Sequence, residues 1–390
     1  MLVDIGLLFR PAAACALAGC WQILTLSLGA QPPELDPLIR AASAAYLKGD
    51  YDAARQSLDQ AWSLAENTPP NDPARYDLLK RRFALESAAG QLADADGYLQ
   101  QAITWRQNVF GESDPGVLND QLEDANLSRG MHDYERALLV LQQVRDAHMS
   151  AGGFETAAVA DDLSRIAQIY MDQQQPEKVP DTLTAAIGIL AKLNGEDHYS
   201  LLADLDRLGE VQITLRQYEQ AEQTYRRDLV IRERVFGKDN ANLITTVDGL
   251  AYARFGQKKY DEAEPVFQRL VALWESSAGK EHPMVALALD KVAVFYRDQK
   301  KWDQAKEAGD RANAIRAHFL ATGLAQEATQ RVAEGKIDEA KVLFRRALAV
   351  LDPPHPVFEE LRKQIEGNLK SLTAPAHPPR KAKVPPERRN

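Results

Sequence analysis

Apolar residues recur at helical spacing through most of the chain, and one stretch shows the arrangement well. Leu243, Val247 and Leu250 stand at positions i, i+4 and i+7. After a polar turn, a second set follows at the same kind of spacing: Ala263, Phe267, Leu270, Val271 and Trp274. Such a period indicates amphipathic helices rather than strands. The stretch therefore predicts an antiparallel helical hairpin.

This hairpin is one copy of a repeat. A marker of the form aromatic or Leu, acidic, any residue, Ala recurs eight times, with its first residues 41, 42, 42, 42, 42, 42 and 35 positions apart. These first residues are Tyr51, Leu92, Tyr134, Pro176, Tyr218, Tyr260, Trp302 and Ile337. A single hairpin cannot bury its own apolar stripe, so we expect neighbouring hairpins to stack.

A glycine marker keeps the same period of 42: Gly111, Gly153, Gly195, Gly237 and Gly279. We expect each glycine to close a helix in the left-handed conformation, with a polar residue capping the next helix. His198, His282 and His355 occupy equivalent positions just before a first helix, and capping is the interpretation we favour over metal binding for them.

Small residues stand where the two helices of a hairpin should cross. The fourth marker position is Ala54, Ala95, Ala137, Ala221, Ala263, Ala305 and Ala340, with Val179 as the exception. The matching positions in the preceding helices are Ala167, Gly209, Ala251 and Ala293. Helix axes about 8 to 10 Å apart leave little room for larger side chains.

These residues resemble the tetratricopeptide repeats. The set Val292-Ala293, Tyr296, Trp302 and Ala305 is similar to the family's signature of small and aromatic positions, and the resemblance extends over roughly Leu35 to Leu351. The period of 42 and the stretch 226–240 are similar to the kinesin-light-chain variety. The resemblance implies an all-α fold, a right-handed α-solenoid of about eight helix-turn-helix repeats.

The implied repeats lie near residues 35–68, 72–110, 114–150, 155–194, 198–236, 240–278, 282–317 and 320–351. A helix over 356–372 has one apolar stripe and is expected to cap the array. The basic, proline-rich residues 373–390 are expected to be disordered.

In the tetratricopeptide family, the first helices of the repeats line a groove, and the resemblance implies that nine residues of this chain face it. The residues expected to face it are Arg165, Asp206, Arg207, Asp248, Tyr252, Phe255, Asp290, Lys291 and Arg297. Alternating charge with a few aromatic rings would suit a peptide of mixed charge. The competing interpretation is that neighbouring Asp and Arg side chains pair with each other and only make the face soluble.

Four pairs of positions on these helices separate this chain from the kinesin-light-chain variety. An Asn pair that those repeats carry is replaced here by Ser164-Arg165, Asp206-Arg207, Asp248-Gly249 and Asp290-Lys291. Recognition of the kinesin cargo kind is therefore not implied.

Residues 1–30 form a separate segment, in which Pro11 to Ala30 carry no charge and follow Arg10. Three interpretations stay open: a cleaved signal peptide, a lipoprotein signal with Cys20 acylated, and an uncleaved membrane anchor. In each, Arg10 on one flank and Glu34 and Asp36 on the other place the repeats outside the cytoplasm. We expect a bacterial protein of the periplasm or cell envelope, or a secreted one.

The net charge and the absence of catalytic motifs disfavour several classes of function. The formal net charge is −9, and residues 31–374 alone carry −13, which does not favour nucleic acid as a partner. Both cysteines, Cys15 and Cys20, precede the repeats, and the chain has no metalloprotease, P-loop or serine-hydrolase motif. We therefore expect no metal, no cofactor and no catalytic residue.

The sequence is best interpreted as a scaffold that binds a peptide or protein partner in its groove. Two alternatives remain: an accessory or enzyme-like protein with a small-molecule site shaped by the helices, and a membrane-tethered structural spacer.

Overall fold

The computed structural model describes residues 34–352 and 356–373, which are all-helical with no strand. The described residues contain sixteen α-helices and divide into two compact units, the first ending at Asp204 and the second beginning at Leu205. The predicted all-α fold is thus confirmed. The expected leader, residues 1–30, and all but Thr373 of the expected tail lie outside the described residues.

In the first unit, successive helices pack against each other in pairs. Its helices are α1 (Leu35–Leu47), α2 (Tyr51–Ala65), α3 (Pro73–Ala89), α4 (Leu92–Phe110), α5 (Pro115–Gly130), α6 (Tyr134–Gly152), α7 (Ala157–Asp172) and α8 (Val179–Asn194). Two short 3₁₀ helices, Pro176–Lys178 and Tyr199–Leu201, precede α8 and α9.

The division between the units falls near the start of α9 (Leu202–Thr214). The second unit continues with α10 (Tyr218–Phe236), α11 (Ile244–Gly256), α12 (Tyr260–Ala278), α13 (Pro283–Asp298), α14 (Trp302–Ala333), α15 (Ile337–Val350) and α16 (Glu359–Thr373). The 3₁₀ helices Ala241–Leu243 and Pro356–Phe358 lead into α11 and α16.

The repeat marker identifies the start of every second helix. Tyr51, Tyr218 and Ile337, for example, are the first residues of α2, α10 and α15, and Pro176 begins the 3₁₀ turn before α8. All eight residues at the fourth marker position are buried, and so are the four small residues predicted in the preceding helices. The helices therefore cross where the sequence placed the small side chains.

The glycines between repeats correct one prediction. Gly111, Gly153, Gly195, Gly237 and Gly279 all have positive φ, between 82° and 104°, but their ψ angles lie between 152° and 179°. This is an extended backbone of positive φ, a region essentially reserved for glycine, and not the left-handed helical conformation we expected. The extended ψ turns the chain away after one hydrogen bond back to the helix, such as Gly237 N to the Glu233 carbonyl at 3.0 Å.

Capping at the next helix follows the prediction. The His198 and His282 side chains accept hydrogen bonds from the backbone N–H groups of Ser200 and Met284, at 3.3 and 3.2 Å. His355, predicted for the same role, lies outside the described residues.

The left-handed conformation occurs instead inside the hairpins, at the turn between first and second helix. Five residues that are not glycine adopt it there, with φ between 58° and 62° and a spacing of 42: His132, Gln174, Arg216, Lys258 and Lys300. Gly49, Gly90 and Gly335 hold the equivalent positions in the other hairpins. At Gly90, a hydrogen bond from Gln91 N–H to the Glu86 carbonyl, 2.8 Å, closes the helix as a Schellman turn.

The short final spacing of 35 has a simple cause. Helix α14 runs for 32 residues without a break, so it serves as the second helix of one hairpin and the first helix of the next. The interrepeat loop of about seven residues is missing, and α14 packs against both α13 and α15. The predicted cap follows as α16, with Ile365 fully buried and Phe358 nearly so.

None of the helices in ranges 34–352 and 356–373 combines the length and apolar character needed to cross a membrane.

Candidate functional site

The second unit exposes one row of side chains on its first helices α9, α11 and α13, which we term the first-helix face. On α13 it comprises Leu287, Asp290, Val294 and Arg297, at i, i+3, i+7 and i+10, so all four project from the same side of the helix. Leu287 is 49% exposed and Val294 is 44% exposed, while their neighbours Val285, Ala288 and Val292 are buried. Two large aliphatic side chains are therefore held in water by a helix whose opposite side is core.

Lys291 connects α13 to α11 on this face. Its ammonium lies 2.5 Å from Asp248 Oδ2 and 5.4 Å from the centre of the Tyr252 ring. Tyr252 in turn packs edge to face against Phe267, at 6.0 Å. The cation is thus neutralised by an acid from the previous repeat and stacked on a ring that the core holds in place.

The other two predicted acids are also paired. Asp290 bonds Arg316 of α14, and Asp206 of α9 bonds Arg232 of α10. Arg207, half-buried beside Asp206, is one of the cations that favour the ionised form of that carboxyl and oppose the rise of its pKa. The pairing that we weighed against a binding role therefore exists at Asp206, Asp248 and Asp290.

Beneath Asp206 lies a buried carboxyl that the sequence analysis did not single out. Asp228 of α10 is fully buried, accepts a hydrogen bond from Arg232 Nε at 2.9 Å and another from the Thr246 hydroxyl. Burial raises the pKa of Asp228 to about 6, because the charged form loses its hydration. Burial likewise raises the pKa of Asp206, and its ion pair with Arg232 opposes that rise.

Tyr225 of α10 explains two glycines on the first helices. A Cβ at Gly209 would meet its ring at 2.6 Å, and one at Gly249 would meet it at 2.2 Å, both closer than real atoms approach. The ring therefore lies where two side chains are missing. Burial and the carboxylates of Glu210, Asp206, Asp248 and Asp228 raise the pKa of the Tyr225 hydroxyl, which stays protonated.

Two of the nine predicted residues lie elsewhere. The Phe255 ring is 5.8 Å from that of Phe295 and 6.3 Å from that of Phe267, so the structure places it among the core aromatics between helices. Arg165 belongs to α7 in the first unit and pairs with Asp161 on its own helix at 2.7 Å. The structure thus brings Asp248, Tyr252 and Lys291 together, with Asp290 and Arg297 on the adjoining helix.

Sequence reasoning missed Leu287 and Val294. Their signal was present, since both lie one helical turn from predicted groove positions. In residues 34–352 and 356–373 no group of three or more His, Cys, Asp or Glu side chains has an arrangement that could hold a metal ion.

Comparison with known proteins agrees with this architecture. Residues 205–238 and 242–317 each match the tetratricopeptide repeat family. No curated protein sequence matches the chain.

Solved structures of the same kind are similar at low identity. Kinesin-light-chain TPR-like repeats from Podosopora anserina are 20% identical, with 51% of this chain and 95% of that chain covered and a TM-score of 0.46. BtubC (BKLC) from P. vanneervenii is 18% identical, covering 62% and 92%, with a TM-score of 0.47. The C-terminal part of a TPR repeat-containing protein from Cytophaga hutchinsonii is 13% identical, covering 71% and 94%, with a TM-score of 0.50. The chain is a tetratricopeptide repeat protein, and such arrays generally mediate interactions between proteins.

Proposed function

We propose that the first-helix face of the second unit binds an extended or helical segment of a partner protein. The observation that carries the proposal is the exposure of Leu287 and Val294 on the same side of α13 as Arg297. A helix that serves only as scaffold gains nothing from aliphatic side chains held in water, whereas a partner that covers them removes apolar surface from water. That transfer contributes about 25 cal/mol per Å² of apolar area.

The surrounding charges would contribute more to the specificity of binding than to its affinity. Asp248 and Lys291 neutralise each other, as do Asp290 and Arg316, so these four charges are desolvated as pairs when the face is covered. Arg297 is exposed at the end of the row and would favour an acidic side chain on the partner. The matching segment is therefore one with apolar residues about two helical turns apart and an acid beyond them.

A peptide-display selection on the immobilised chain tests this, followed by affinity measurements with the selected peptides. Leu287→Asp and Val294→Asp should each weaken binding by about tenfold or more, as expected for central apolar contacts. Val230→Asp on α10 and Val342→Asp on α15 are matched controls, since those valines are 56% and 53% exposed on second helices. Peptides that lose affinity equally with the control variants would place the binding surface elsewhere.

We also propose that the chain is exported and functions in the periplasm, the cell envelope or outside the cell. The support is the uncharged run from Pro11 to Ala30 behind Arg10. Residues 1–33 fused to a β-lactamase lacking its own signal should give ampicillin resistance in a bacterial host, and Leu24→Asp with Leu26→Asp should abolish it. Resistance that survives this change would argue against export through this segment.

The role of Cys20 is separable within the same fusion. Acylation predicts labelling with palmitate that Cys20→Ser removes, whereas a cleaved or uncleaved signal predicts none.

A further inference from the structure

The first unit contains a cleft of about 400 Å³ that involves no residue of the first-helix face. Its walls include Trp62 on α2 and Trp105 on α4, together with Pro70 from the loop before α3. The buried side chain of Leu79 on α3 also lines the cleft, and both indoles pack against the apolar cluster that contains it. The two aromatic rings therefore belong to neighbouring repeats and share an apolar base.

Hydrogen bonds hold both indoles in place. Trp105 donates from Nε1 to the Pro70 carbonyl at 2.8 Å, and its ring lies 5.4 Å from that of Tyr76. Trp62 donates from Nε1 to the Glu66 carboxylate at 3.1 Å. A ligand that binds to preorganised rings does not lose free energy in ordering them.

A row of neutral polar side chains lies beside the Trp105 ring. Gln101, Thr104 and Asn108 are exposed on α4 at i, i+3 and i+7, so they share one side of the helix with Trp105, and all three line the cleft. Gln101 is held by a hydrogen bond from its amide nitrogen to the Gly97 carbonyl at 3.1 Å, and a carboxamide has a second N–H and an acceptor oxygen as well. Because hydroxyl and carboxamide groups both donate and accept, the row suits a ligand rich in hydroxyl groups.

The charged groups of the cleft wall favour an uncharged ligand. Among the nine described residues that line the cleft, none is acidic and Arg75 alone is basic. Its guanidinium donates to three carbonyl oxygens at 2.7 to 3.1 Å, those of Ala65, Glu66 and Thr68. Arg75 therefore fixes the loop before α3, and an anion in the cleft would compete with these hydrogen bonds.

The net charge of the first unit adds to this selection. Residues 34–204 contain 28 Asp and Glu against 14 Lys and Arg, a net charge of −14, whereas residues 205–373 contain 26 against 27. The acidic unit repels anionic ligands such as phosphates and uronic acids. It attracts basic peptides, but the cleft wall offers their cations no carboxylate to pair with.

We propose that this cleft binds a short, uncharged oligosaccharide of β-linked, glucose-like sugars. The hydroxyl groups of such sugars are equatorial and their C–H bonds are axial, so each ring has a flat C–H face and a polar edge. The C–H hydrogens are made partly positive by the neighbouring oxygens and fit the negative face of an indole. The hydroxyl groups at the edge fit the polar row on α4. Because the two indoles belong to neighbouring repeats, several linked sugars bind more tightly than one.

Calorimetric titration of the full chain with cellotetraose and with N-acetylchitotetraose tests the proposal. At least one of these tetrasaccharides should bind about tenfold more tightly than its monosaccharide, because it contacts both rings. Maltotetraose has the same sugars as cellotetraose, but its α-linkages curve the chain, and it should bind more weakly than the tighter of the two. No binding of either β-linked tetrasaccharide at about 5 mM, or an affinity equal to that of the monosaccharide, would overturn the proposal.

A substitution in the cleft locates the binding. Thr104→Arg, a change at an exposed position in the cleft, should weaken binding of the tetrasaccharide by about tenfold, because the longer side chain fills the space beside Trp105. Thr245→Arg on α11 is the matched control, since Thr245 is exposed in the second unit, and it should leave the affinity unchanged. Equal affinity of the parent and of Thr104→Arg would contradict the assignment to this cleft.

Two further measurements separate an uncharged sugar from other ligands. Raising NaCl from 50 to 500 mM should leave the affinity for the tetrasaccharide unchanged, since an uncharged ligand has no charge to screen. A loss of about threefold or more would show an ionic contact that the proposal excludes. Octaproline is the second comparison, because stiff polyproline helices also dock on aromatic rings. Tighter binding of octaproline than of both β-linked tetrasaccharides would assign the cleft to a protein partner instead.

Discussion

Five residues other than glycine adopt the left-handed backbone conformation at the turns inside the hairpins. Glycine would adopt this conformation without steric cost, so each of these residues lowers the stability of the fold. Lys300, at φ 59°, is one of them, and no hydrogen bond or ion pair of its side chain is found among the described residues. Because the left-handed region costs a residue with a Cβ about 1 kcal/mol or more, Lys300→Gly should raise the free energy of unfolding by roughly 0.5–1 kcal/mol. Urea titration measures the change, and Lys300→Ala, which removes the side chain but keeps the Cβ, should give no gain.

At the interrepeat glycines, replacing glycine is expected to lower the free energy of unfolding. At Gly237, φ 86° and ψ 163°, a Cβ would meet no atom within 4 Å, so the cost of alanine there is that of the backbone alone. Gly237→Ala should lower the free energy of unfolding by about 1–3 kcal/mol. Gly309 also has open space but lies inside α14, and Gly309→Ala should stabilise by roughly 0.5–1 kcal/mol. Equal effects at the two positions would contradict the backbone argument.

The buried carboxyl of Asp228 predicts a dependence of stability on pH. Its pKa of about 6 in the folded chain is above its ordinary value of 3.8, so between these values the folded state binds more protons than the unfolded state. Stability should therefore fall as the pH rises from about 4 to about 6, with this group contributing roughly 2 kcal/mol between pH 4.5 and 7.

Asp228→Asn tests the sign, since it removes the titrating group and should flatten the difference between urea titrations at pH 4.5 and pH 7. Asp303→Asn, at an exposed position at the start of α14, should leave the difference as in the parent. A parent chain that gains stability over this range would contradict the assignment of the proton to the folded state.

At the level of helices, the close crossing of a hairpin depends on one small residue. Ala263 is fully buried beside the core formed by α11, α12 and α13. Ala263→Phe should overpack the crossing and lower the free energy of unfolding by about 1–3 kcal/mol, measured by urea titration. Ala203, exposed on α9, is a control for the same substitution, and a comparable loss there would show that the cost does not come from the crossing.

The start of each second helix could be predicted from the sequence because the marker residues form the first turn of that helix. The marker contains the first-turn acid and the small crossing residue, so its period counts helices directly. The continuous helix α14 could not be predicted with the same ease. A spacing of 35 shows that seven residues are missing but not which part of the repeat has lost them, and the chain from Trp302 to Ala333 has no proline to decide it.

The candidate site was predicted only in part for a related reason. Its charged members follow from the register of α11 and α13. Phe255, however, was predicted to face the groove and packs against the core aromatics, and Leu287, which was not predicted, is exposed. Helical periodicity identifies which residues share a side of a helix and leaves open which side a neighbouring helix covers.

At the scale of the whole molecule, the two units differ in net charge. The excess of acids in residues 34–204 means that like charges repel within the first unit, while the second unit is close to neutral. Raising NaCl from 50 to 500 mM shortens the screening length severalfold, which should stabilise the first unit by about 1 kcal/mol and leave the second nearly unchanged.

Hydrogen exchange measured by mass spectrometry can detect this difference in stabilisation by salt, because peptides from each unit are measured in the same sample. Amides of buried helices such as α3 and α5 should exchange more slowly at high salt, and those of α11 and α13 should not. The measurement is made on the chain ending at Thr373, in which residues 205–373 are close to neutral. Slower exchange of equal size in both units would show a general salting effect instead of relief of repulsion.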